Sequence, residues 1–341
     1  MEKLKTAVIL LNLGGPETLD GVKPFLWNLF TDKHIIRLPF FLRYPLAWLI
    51  STLRTSKAQK IYESIGGGSP LNKNTKKQSD ALEALLKNEK FEAKVFTAMR
   101  YAPPMTEEVA REVAAYKPDQ IILLPLYPQF STTTTQSSVE EWKLMGKDLK
   151  VPVRGICCYF DHPHFIKAHQ ELLKSHLKSC PSQDSLHILF SAHGLPEKII
   201  EAGDPYAWQV GEAVSKIMQD HDLQKFPYTV CYQSKVGPTK WLRPSLEESL
   251  EECVQRNQGA VVVPIAFVSD HSETLYELDI QFKEWADEKA MIHYSRVPVL
   301  GDHPMFIEGL ASLIVSSLSG QDDMRKCPRS YKDCCHGRFN F

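Results

Sequence analysis

The sequence predicts an α/β fold of two similar doubly wound domains, each with a four-stranded parallel sheet flanked by helices. Short runs rich in Val, Ile and Leu recur without strict alternation, which is typical of strands covered on both faces. Longer amphipathic stretches separate these runs and supply the crossover helices of a parallel sheet. The runs fall into two sets of four, so the chain contains the same arrangement twice.

The strands are predicted at eight runs. The first half has AVILLNL, AKVFTAMR, QIILLPLY and VRGICCYF, and the second half has LHILFSAH, YTVCYQ, AVVVPIAF and IHYSRVPVL. Stretches such as 78–86 and 245–257 have the apolar spacing of helices. A chain of 341 residues also exceeds one ordinary hydrophobic core. We therefore expect an N-terminal domain over 1–155, a C-terminal domain over 156–325 and a cysteine-rich tail over 326–341.

Equivalent strands of the two halves end in similar turns. The first strand of each half ends in a turn with Gly, Pro and Glu, LLNLGGPE at 10–17 and LFSAHGLPE at 189–197. The third strand of each half is followed by a polar segment, YPQFSTTTTQSS or FVSDHSETLYE. Ligands of open parallel sheets bind beyond the carboxyl ends of strands, so these segments are expected to line one active-site cleft between the domains. In that cleft Leu13 and His193 would occupy opposite walls.

The overall composition excludes several classes of protein. With 40 basic and 41 acidic side chains, the chain has no excess positive charge to meet nucleic-acid phosphates. It has no apolar run of about 20 residues for a membrane span and no signal peptide before the first strand, so we expect a cytoplasmic protein. In a reducing compartment the cysteines are expected to be buried or metal-bound rather than disulfide-bonded, with burial favoured for Cys180, Cys231 and Cys253.

The stretch 21–60 has the character of an insertion. Its apolar and aromatic side chains are interspersed with Arg37, Arg43, Arg54 and Lys57. One interpretation is a helical hairpin buried against the domain. The other is a surface that dips into a membrane, because aromatic and aliphatic side chains flanked by cations suit the lipid interface.

Two segments carry residues suited to proton transfer. His193 lies at the carboxyl end of an apolar strand, where an imidazole can accept protons near neutral pH. Glu273 and Glu277 are four residues apart, which places both carboxylates on one helix face, with Asp270 and His271 at its start. A turn histidine and a solvated acidic first turn are the alternative interpretations. The position of both segments after buried strands favours a shared cleft.

The segment CYQSKVGPTKWLRPSLEE predicts a flat ligand surface. Trp241 stands among Lys235, Lys240 and Arg243, so an exposed indole with cations around it would suit a planar, acidic ligand. The alternative is a Trp241 ring buried under its own loop.

Six motifs together resemble one family, the ferrochelatases, which insert ferrous iron into a porphyrin to make haem. In the family's order, and over almost the whole chain, the sequence contains LLNLGGPET, IGGGSPL, YPQFSTTTT, SAHGLPEK, CYQSKVGPTKWLRPSLEE and VPIAFVSDHSETLYELDIQ. The resemblance implies a chelatase-like pair of domains, with Fe²⁺ and protoporphyrin IX as substrates and protohaem and two protons as products. This reaction is the last step of haem biosynthesis.

The resemblance also implies the roles of the acidic and histidine side chains. His193 matches the histidine that accepts protons or handles the metal, and Glu273 matches its partner. The pair is therefore also expected to hold the substrate Fe²⁺. His271 and Glu277 match neighbours that relay protons or guide iron.

Porphyrin-contacting positions are implied in both halves. They are Leu13, Tyr62, Arg100, Tyr101, Ser131, Trp241 and Phe267. Arg100 and Ser131 are expected to donate to the propionates, because a guanidinium and a hydroxyl both bind carboxylates. The apolar stretch within 21–60 matches the family's membrane-facing lip, which implies peripheral association with the inner membrane. It also favours protoporphyrin over the four-carboxylate coproporphyrin.

The tail CPRSYKDCCHGRFNF concentrates metal-binding side chains. Cys327, Cys334, Cys335 and His336 fall within ten residues, and soft thiolates at such spacing bind an iron–sulfur cluster or zinc. Some family members hold a [2Fe–2S] cluster with three tail cysteines and one from the middle of the chain. The implied ligands here are Cys158, Cys327, Cys334 and Cys335. Cys157 is an alternative to Cys158, and His336 is an alternative to Cys334 or Cys335. Instead of the cluster, the tail could bind zinc or carry free thiols.

Other functions fit parts of the pattern. They are a coproporphyrin ferrochelatase, a non-catalytic haem or tetrapyrrole carrier, a periplasmic-type receptor and a cobalt or nickel chelatase. The presence of both His193 and Glu273 favours an enzyme, since a carrier needs no base. The sequence assigns no oligomeric state, and a homodimer is among the assemblies it permits.

Overall fold

The computed structural model of the chain describes residues 4–88, 92–181, 185–235, 237, 239–320 and 327–334. These residues form two compact units. One contains the chain up to Cys158 and the end of the last helix from Leu310, and the other contains Tyr159–Gly309 and Cys327–Cys334. The chain first passes from one unit to the other between Cys158 and Tyr159.

Each unit has a four-stranded parallel sheet. The strands of the first unit, in the sheet order β2-β1-β3-β4, are β1 (Lys5–Asn12), β2 (Glu92–Met99), β3 (Gln120–Pro125) and β4 (Val153–Gly155). Those of the second, in the order β6-β5-β7-β8, are β5 (Leu186–His193), β6 (Tyr228–Gln233), β7 (Gly259–Pro264) and β8 (Tyr294–Arg296). The two orders are equivalent, which confirms the predicted repeat of one α/β arrangement.

Helices connect the strands of each sheet. The first unit has α1 (Val22–Thr31), α2 (Phe40–Ser64), α3 (Leu71–Asn88), α4 (Thr106–Tyr116) and α5 (Ser137–Met145). The chain continues with α6 (Pro163–Ser179), α7 (Glu197–Glu201), α8 (Tyr206–Ile217), α9 (Leu246–Gln255), α10 (Phe282–Glu288) and α11 (Pro304–Leu318). The stretches 78–86 and 245–257, predicted as helices, correspond to α3 and α9.

Burial explains why the apolar runs become strands. Residues 7–11 of β1 are at most 1% exposed, because neighbouring strands and helices cover them. The side chains of Ala7, Ile9 and Leu11, on one face of the strand, pack with Val113 of α4 and Trp142 of α5. In the second unit Leu189 of β5 packs with Leu250 of α9. Each sheet therefore has its own hydrophobic core, and the carboxyl ends of its strands are left to carry polar residues.

The third strand of each sheet is followed by a π-helical segment. These segments are Thr132–Gln136 after β3 and Glu273–Gln281 after β7. Both coincide with the polar segments that the sequence placed at equivalent strand ends. The sequence predicted an ordinary helix after β7, because residues four apart share a face in either kind of helix. π-Helical turns are rare and occur frequently at functional sites.

The edge strands β4 and β8 are shorter than predicted. Each has three residues, although the runs VRGICCYF and IHYSRVPVL are much longer. Pro298 has no N–H with which to continue β8.

The stretch 21–60 forms α1 and most of α2, and the start of α2 is exposed. Phe40, Trp48 and Leu53 are 71%, 58% and 72% exposed. A hairpin buried against the domain therefore does not describe this part of the chain. Within the described ranges, no helix has both the length and the apolar character needed to cross a membrane.

Candidate active site

His193 is the last residue of β5, and its position depends on the turn that follows. Residues 188–192 are almost fully buried, whereas the His193 side chain is 37% exposed. Gly194 donates its N–H to the Gln233 carbonyl at 2.8 Å. A Cβ on Gly194 would lie 2.9 Å from that carbonyl oxygen and 3.3 Å from Trp241 Cε3. Glycine is therefore required for the turn that leaves His193 at the open end of its sheet.

The π-helical segment Glu273–Gln281 brings two carboxylates to the carboxyl ends of the strands, where His193 lies. Thr274 and Leu278 have no exposed surface and anchor the segment in the core, while Glu273 and Glu277 share another face. The Nδ1 atom of His193 and Oε2 of Glu273 are 2.9 Å apart, although the two residues are 80 positions apart in the chain. The predicted pairing of the strand-end histidine with this glutamate is thus present within one unit.

The His193–Glu273 pair has shifted proton affinities. Burial alone would raise the pKa of Glu273, but the charge and hydrogen bond of His193 lower it to about 2, with help from His271 and Ser234. Burial disfavours the imidazolium, yet the carboxylates of Glu273 and Glu277 raise the pKa of His193 above its ordinary value. Glu273 is therefore ionised, and the imidazole beside it takes up a proton readily near neutral pH.

His271 and Glu277 complete the group around that pair. The N–H of Glu273 donates to Nδ1 of His271 at 3.0 Å, and the His271 ring packs edge-on against Phe267, with 4.4 Å between ring centroids. Burial lowers the pKa of His271, so its ring is neutral at neutral pH. Burial and the charge of Glu273 raise the pKa of Glu277. The four predicted acid–base side chains and Phe267 thus form one cluster.

Trp241 lies beside the turn after β5. It forms an isolated antiparallel bridge with Pro196, and its indole is partly buried. The buried Nε1 has no hydrogen-bond partner among the residues that the structure describes. Lys235, Lys240 and Arg243, its neighbours in the sequence, are exposed. A flat ligand surface at Trp241 stays a prediction.

The first unit contains a separate buried network around Asp32. The Asp32 side chain is 1% exposed and pairs with Nη2 of Arg100 at 2.9 Å. It also accepts from the Tyr101 hydroxyl and the His34 N–H, both at 2.7 Å, and from the Ser137 hydroxyl. Burial alone would raise the pKa of Asp32, but Arg100 and these donors lower it. Arg100 and Tyr101, both predicted porphyrin contacts, are therefore held by one buried carboxylate.

The other predicted contacts of this unit lie nearby in its fold. Leu13 is partly buried and packs against a hydrophobic cluster that includes Tyr62. Ser131 is 1% exposed, and its hydroxyl caps the π-helical segment Thr132–Gln136 by accepting a backbone N–H at 3.1 Å. It stays a prediction that these residues contact a porphyrin. The cleft with Leu13 opposite His193 is likewise a prediction.

The chain matches the family model described as Ferrochelatase over residues 5–318. It belongs to the ferrochelatase family. A curated ferrochelatase from Rickettsia bellii is 46% identical over 346 residues, covering 98% of this chain and 96% of that protein. A ferrochelatase from Caulobacter vibrioides is 47% identical over 336 residues, covering 98% and 94% respectively. As a member of the ferrochelatase family the chain is an enzyme, a metal chelatase.

Two solved chelatase structures share the fold. SirB from Bacillus subtilis with Fe³⁺ has a TM-score of 0.54 at 13% identity, covering 94% of this chain and 99% of SirB. CbiX, the terminal enzyme for siroheme biosynthesis in denitrifying bacteria, has a TM-score of 0.51 at 11% identity, covering 92% and 99%. At such low identity these likenesses show the α/β fold alone.

The cysteines that the structure describes do not form the ligand set that the ferrochelatase resemblance implied. Cys158 is partly exposed in the first unit, while Cys327 and Cys334 are buried in the second, where Gln209 donates to Cys327 Sγ at 3.1 Å. The described portion contains no group of three or more His, Cys, Asp or Glu side chains suited to a metal ion. The predicted ligand Cys335 and its alternative His336 lie outside the described residues.

Two expectations about the other cysteines need correction. Cys157 is disulfide-bonded, so the expectation that no cysteine forms a disulfide is wrong. Cys231 and Cys253 are buried as predicted, but Cys180 is only partly buried. Cys180 directly follows α6, where the helix has ended and the chain reaches the surface.

The sequence did not single out three polar residues that hold predicted site residues within their own units. Besides Asp32, these are Gln233 and Ser234 at the end of β6. The Gln233 side-chain amide donates to the Glu273 carbonyl at 2.9 Å, and the Ser234 N–H donates to Oε1 of Glu277 at 2.9 Å. The one signal that the sequence offers for Gln233 and Ser234 is their position at the carboxyl end of β6, the strand that pairs with β5.

Proposed function

We propose that this chain inserts Fe²⁺ into protoporphyrin IX, with His193 and Glu273 as the pair that accepts the porphyrin protons. Membership of the ferrochelatase family supports Fe²⁺ and a porphyrin as substrates and protohaem with two protons as products. The observation that carries the residue assignment is the 2.9 Å hydrogen bond between His193 Nδ1 and Glu273 Oε2 at the carboxyl end of β5.

His193 takes the first proton in this proposal. A porphyrin carries two N–H protons, and iron enters only when the ring is distorted and those protons have left. When Nδ1–H of His193 donates to Glu273, the lone pair lies on Nε2, which is the atom that accepts a proton from the substrate. The Glu273 carboxylate then stabilises the imidazolium that forms.

The neighbouring groups take the proton onward and attract the metal. Glu277, whose pKa is raised, binds and releases protons at a higher pH than an ordinary carboxyl group. His271 is neutral and adjacent to Glu273, so it can receive a proton in turn. Imidazole and carboxylate are also suitable ligands for ferrous iron, which supports a role for His193 and Glu273 in holding Fe²⁺ as it enters.

Porphyrin binding is assigned to residues of both units. Arg100 has five N–H donors, so its bonds to Asp32 and Ser137 leave others for a propionate. Trp241 and Phe267 supply flat apolar surface beside the acid–base cluster.

Anaerobic mixing of the protein with Fe²⁺ and protoporphyrin IX is expected to give protohaem with many turnovers. The reaction is monitored by the absorption of the product and by the loss of porphyrin fluorescence. With coproporphyrin we expect kcat/KM to be about tenfold lower, because two further carboxylates must approach apolar surface. Tight porphyrin binding without any turnover would instead support the carrier, and faster reaction of coproporphyrin would reverse the substrate assignment.

The exposed start of α2 supports peripheral attachment to the cytoplasmic face of the inner membrane. Its exposed apolar side chains are Phe40, Phe41, Leu42, Tyr44, Trp48, Leu49 and Leu53. Arg37, Arg54 and Lys57 are exposed nearby in the sequence, which suits anionic lipid headgroups. Sedimentation with anionic vesicles tests this, with Trp48→Asp expected to weaken binding and Leu144→Asp, an exposed leucine of α5, as the control. Dimer formation that disappears in Trp48→Asp would show that the surface is a subunit interface.

A [2Fe–2S] cluster is the remaining part of the proposal, and the residues described do not fit it. Cys158, Cys327 and Cys334 are not gathered into a metal site there, so no step of the reaction is derived from a cluster. A visible absorption spectrum of the full chain, together with iron and sulfide analysis, decides whether a [2Fe–2S] cluster is present. A colourless protein with stoichiometric zinc refutes the cluster.

A further inference from the structure

Ser234 adopts a backbone conformation that favours glycine. It directly follows β6, and its φ is +64°. Residues other than Gly, Asn and Asp rarely adopt this left-handed conformation. Conformations of this kind persist where the surrounding structure holds them and are concentrated at functional sites. Glycine would fit this backbone without strain, so what serine adds at this position is its side chain.

The strained residue directs two donors to one carboxylate. Its N–H donates to Oε1 of Glu277 at 2.9 Å, and its hydroxyl donates to Oε2 of the same carboxylate. Both oxygens of Glu277 are thereby held by a single residue, which restricts rotation of the carboxylate. Hydrogen bonds of this kind also favour the charged form of the group.

Gln233 supplies a third donor, and its orientation is set from the adjacent strand. The Ser191 hydroxyl donates to Oε1 of Gln233 at 2.7 Å, which leaves the amide nitrogen to donate. That nitrogen bonds the Glu273 carbonyl at 2.9 Å and Oε2 of Glu277 at 3.2 Å. Both Ser191 and Gln233 are buried, so the π-helical segment is fixed to the ends of β5 and β6.

We propose that Ser234 is a positioning residue for metal insertion, which fixes the orientation of the Glu277 carboxylate beside the His193–Glu273 pair. The inference rests on the proposed role of Glu277 as a proton acceptor. Ser234 itself contacts neither substrate in this account. It acts through its two hydrogen bonds to Glu277 and through the hydrogen bond by which its hydroxyl lowers the pKa of Glu273.

The charges around Glu277 explain why such donors are needed. Burial and the carboxylate of Glu273 raise the pKa of Glu277, and the donors from Ser234 and Gln233 oppose that rise. The other titratable groups that interact with Glu277 are His193, which attracts it, and the neutral phenol of Tyr294. Without the Ser234 hydroxyl, Glu277 would keep its proton to a higher pH and would fail to accept another.

Ser234→Ala and Ser234→Gly test this together, because both remove the hydroxyl and only Gly relieves the backbone. Loss of one hydrogen bond to a charged group shifts the pKa by about one unit. Below neutral pH, kcat for haem formation is therefore expected to fall by up to about tenfold relative to wild type. Near pH 8 it should stay within about twofold, and KM for the porphyrin should not change. Ala290→Gly, at an exposed residue with φ +51° outside the site, controls for relief of backbone strain.

Three results would overturn the inference. They are activity like that of wild type at both pH values, an equal loss at both, and a loss in Ser234→Ala that Ser234→Gly restores. The last would assign the effect to the backbone rather than the hydroxyl. A wild-type protein that forms no haem would instead contradict the proposed function, so the two failures are distinguishable.

Discussion

His193→Ala is expected to lower kcat for haem formation by about 10²- to 10⁴-fold, which is the typical contribution of a well-placed general base. The variant removes the imidazole that Glu273 orients through the 2.9 Å hydrogen bond. The His193 side chain lies at the open end of β5 and supports no core packing, so the fold and the affinity for porphyrin should remain. Glu273 then lacks its partner, and its carboxylate alone cannot replace the base.

Steady-state assays under anaerobic conditions and fluorescence titration with protoporphyrin IX measure these two quantities separately. His221→Ala is the matched control, because the His221 side chain is fully exposed and remote in sequence from the site. Retention of more than about a tenth of wild-type kcat in His193→Ala would remove His193 from the role of base.

Asp32→Ala is expected to destabilise the protein by about 3–5 kcal/mol, as is typical when one partner of a buried ion pair is removed. Arg100 loses its closest carboxylate, and the Tyr101 and Ser137 hydroxyls lose their acceptor. Because the pKa of Asp32 is lowered in the folded state, its contribution is complete above the ordinary carboxyl pKa and is lost as the pH falls into the acid range.

Urea denaturation of the wild type and Asp32→Ala at neutral and acid pH checks both expectations. Asp80→Ala is the control, since its ion pair with Lys76 is exposed and such pairs contribute about 0–1 kcal/mol. A loss below about 1 kcal/mol in Asp32→Ala would contradict the account of the network. Weaker porphyrin binding by Asp32→Asn would further support Arg100 as a propionate partner.

The parts of the fold that depend on local pattern were predictable from the sequence. The apolar runs gave the six longer strands, and the repeated turns with Gly, Pro and Glu located His193 at a strand end. The edge strands β4 and β8 were overestimated, because hydrophobic runs do not show where pairing stops. The π-helical geometry after β7 was not predictable, since a spacing of four between Glu273 and Glu277 fits two kinds of helix.

The residues that support the site could not be found from the sequence, because their partners are distant along the chain. Asp32 is 69 positions from Tyr101 and 105 from Ser137. Gln233 is 44 positions from Glu277. Only the folded chain brings these groups together, and their types are unremarkable in isolation. The left-handed backbone of Ser234 likewise has no local signal, since glycine is the residue that usually marks it.

The pH dependence of kcat/KM in the wild type and in Glu273→Gln tests most directly whether this carboxylate tunes His193 to accept porphyrin protons. In the wild type, the rate should rise with pH through an apparent pKa above the ordinary histidine value, because Glu273 and Glu277 raise the pKa of His193. In Glu273→Gln the maximal rate should fall, and the rise should move to lower pH by about one unit or more. A rise at the same pH in both proteins would contradict the account.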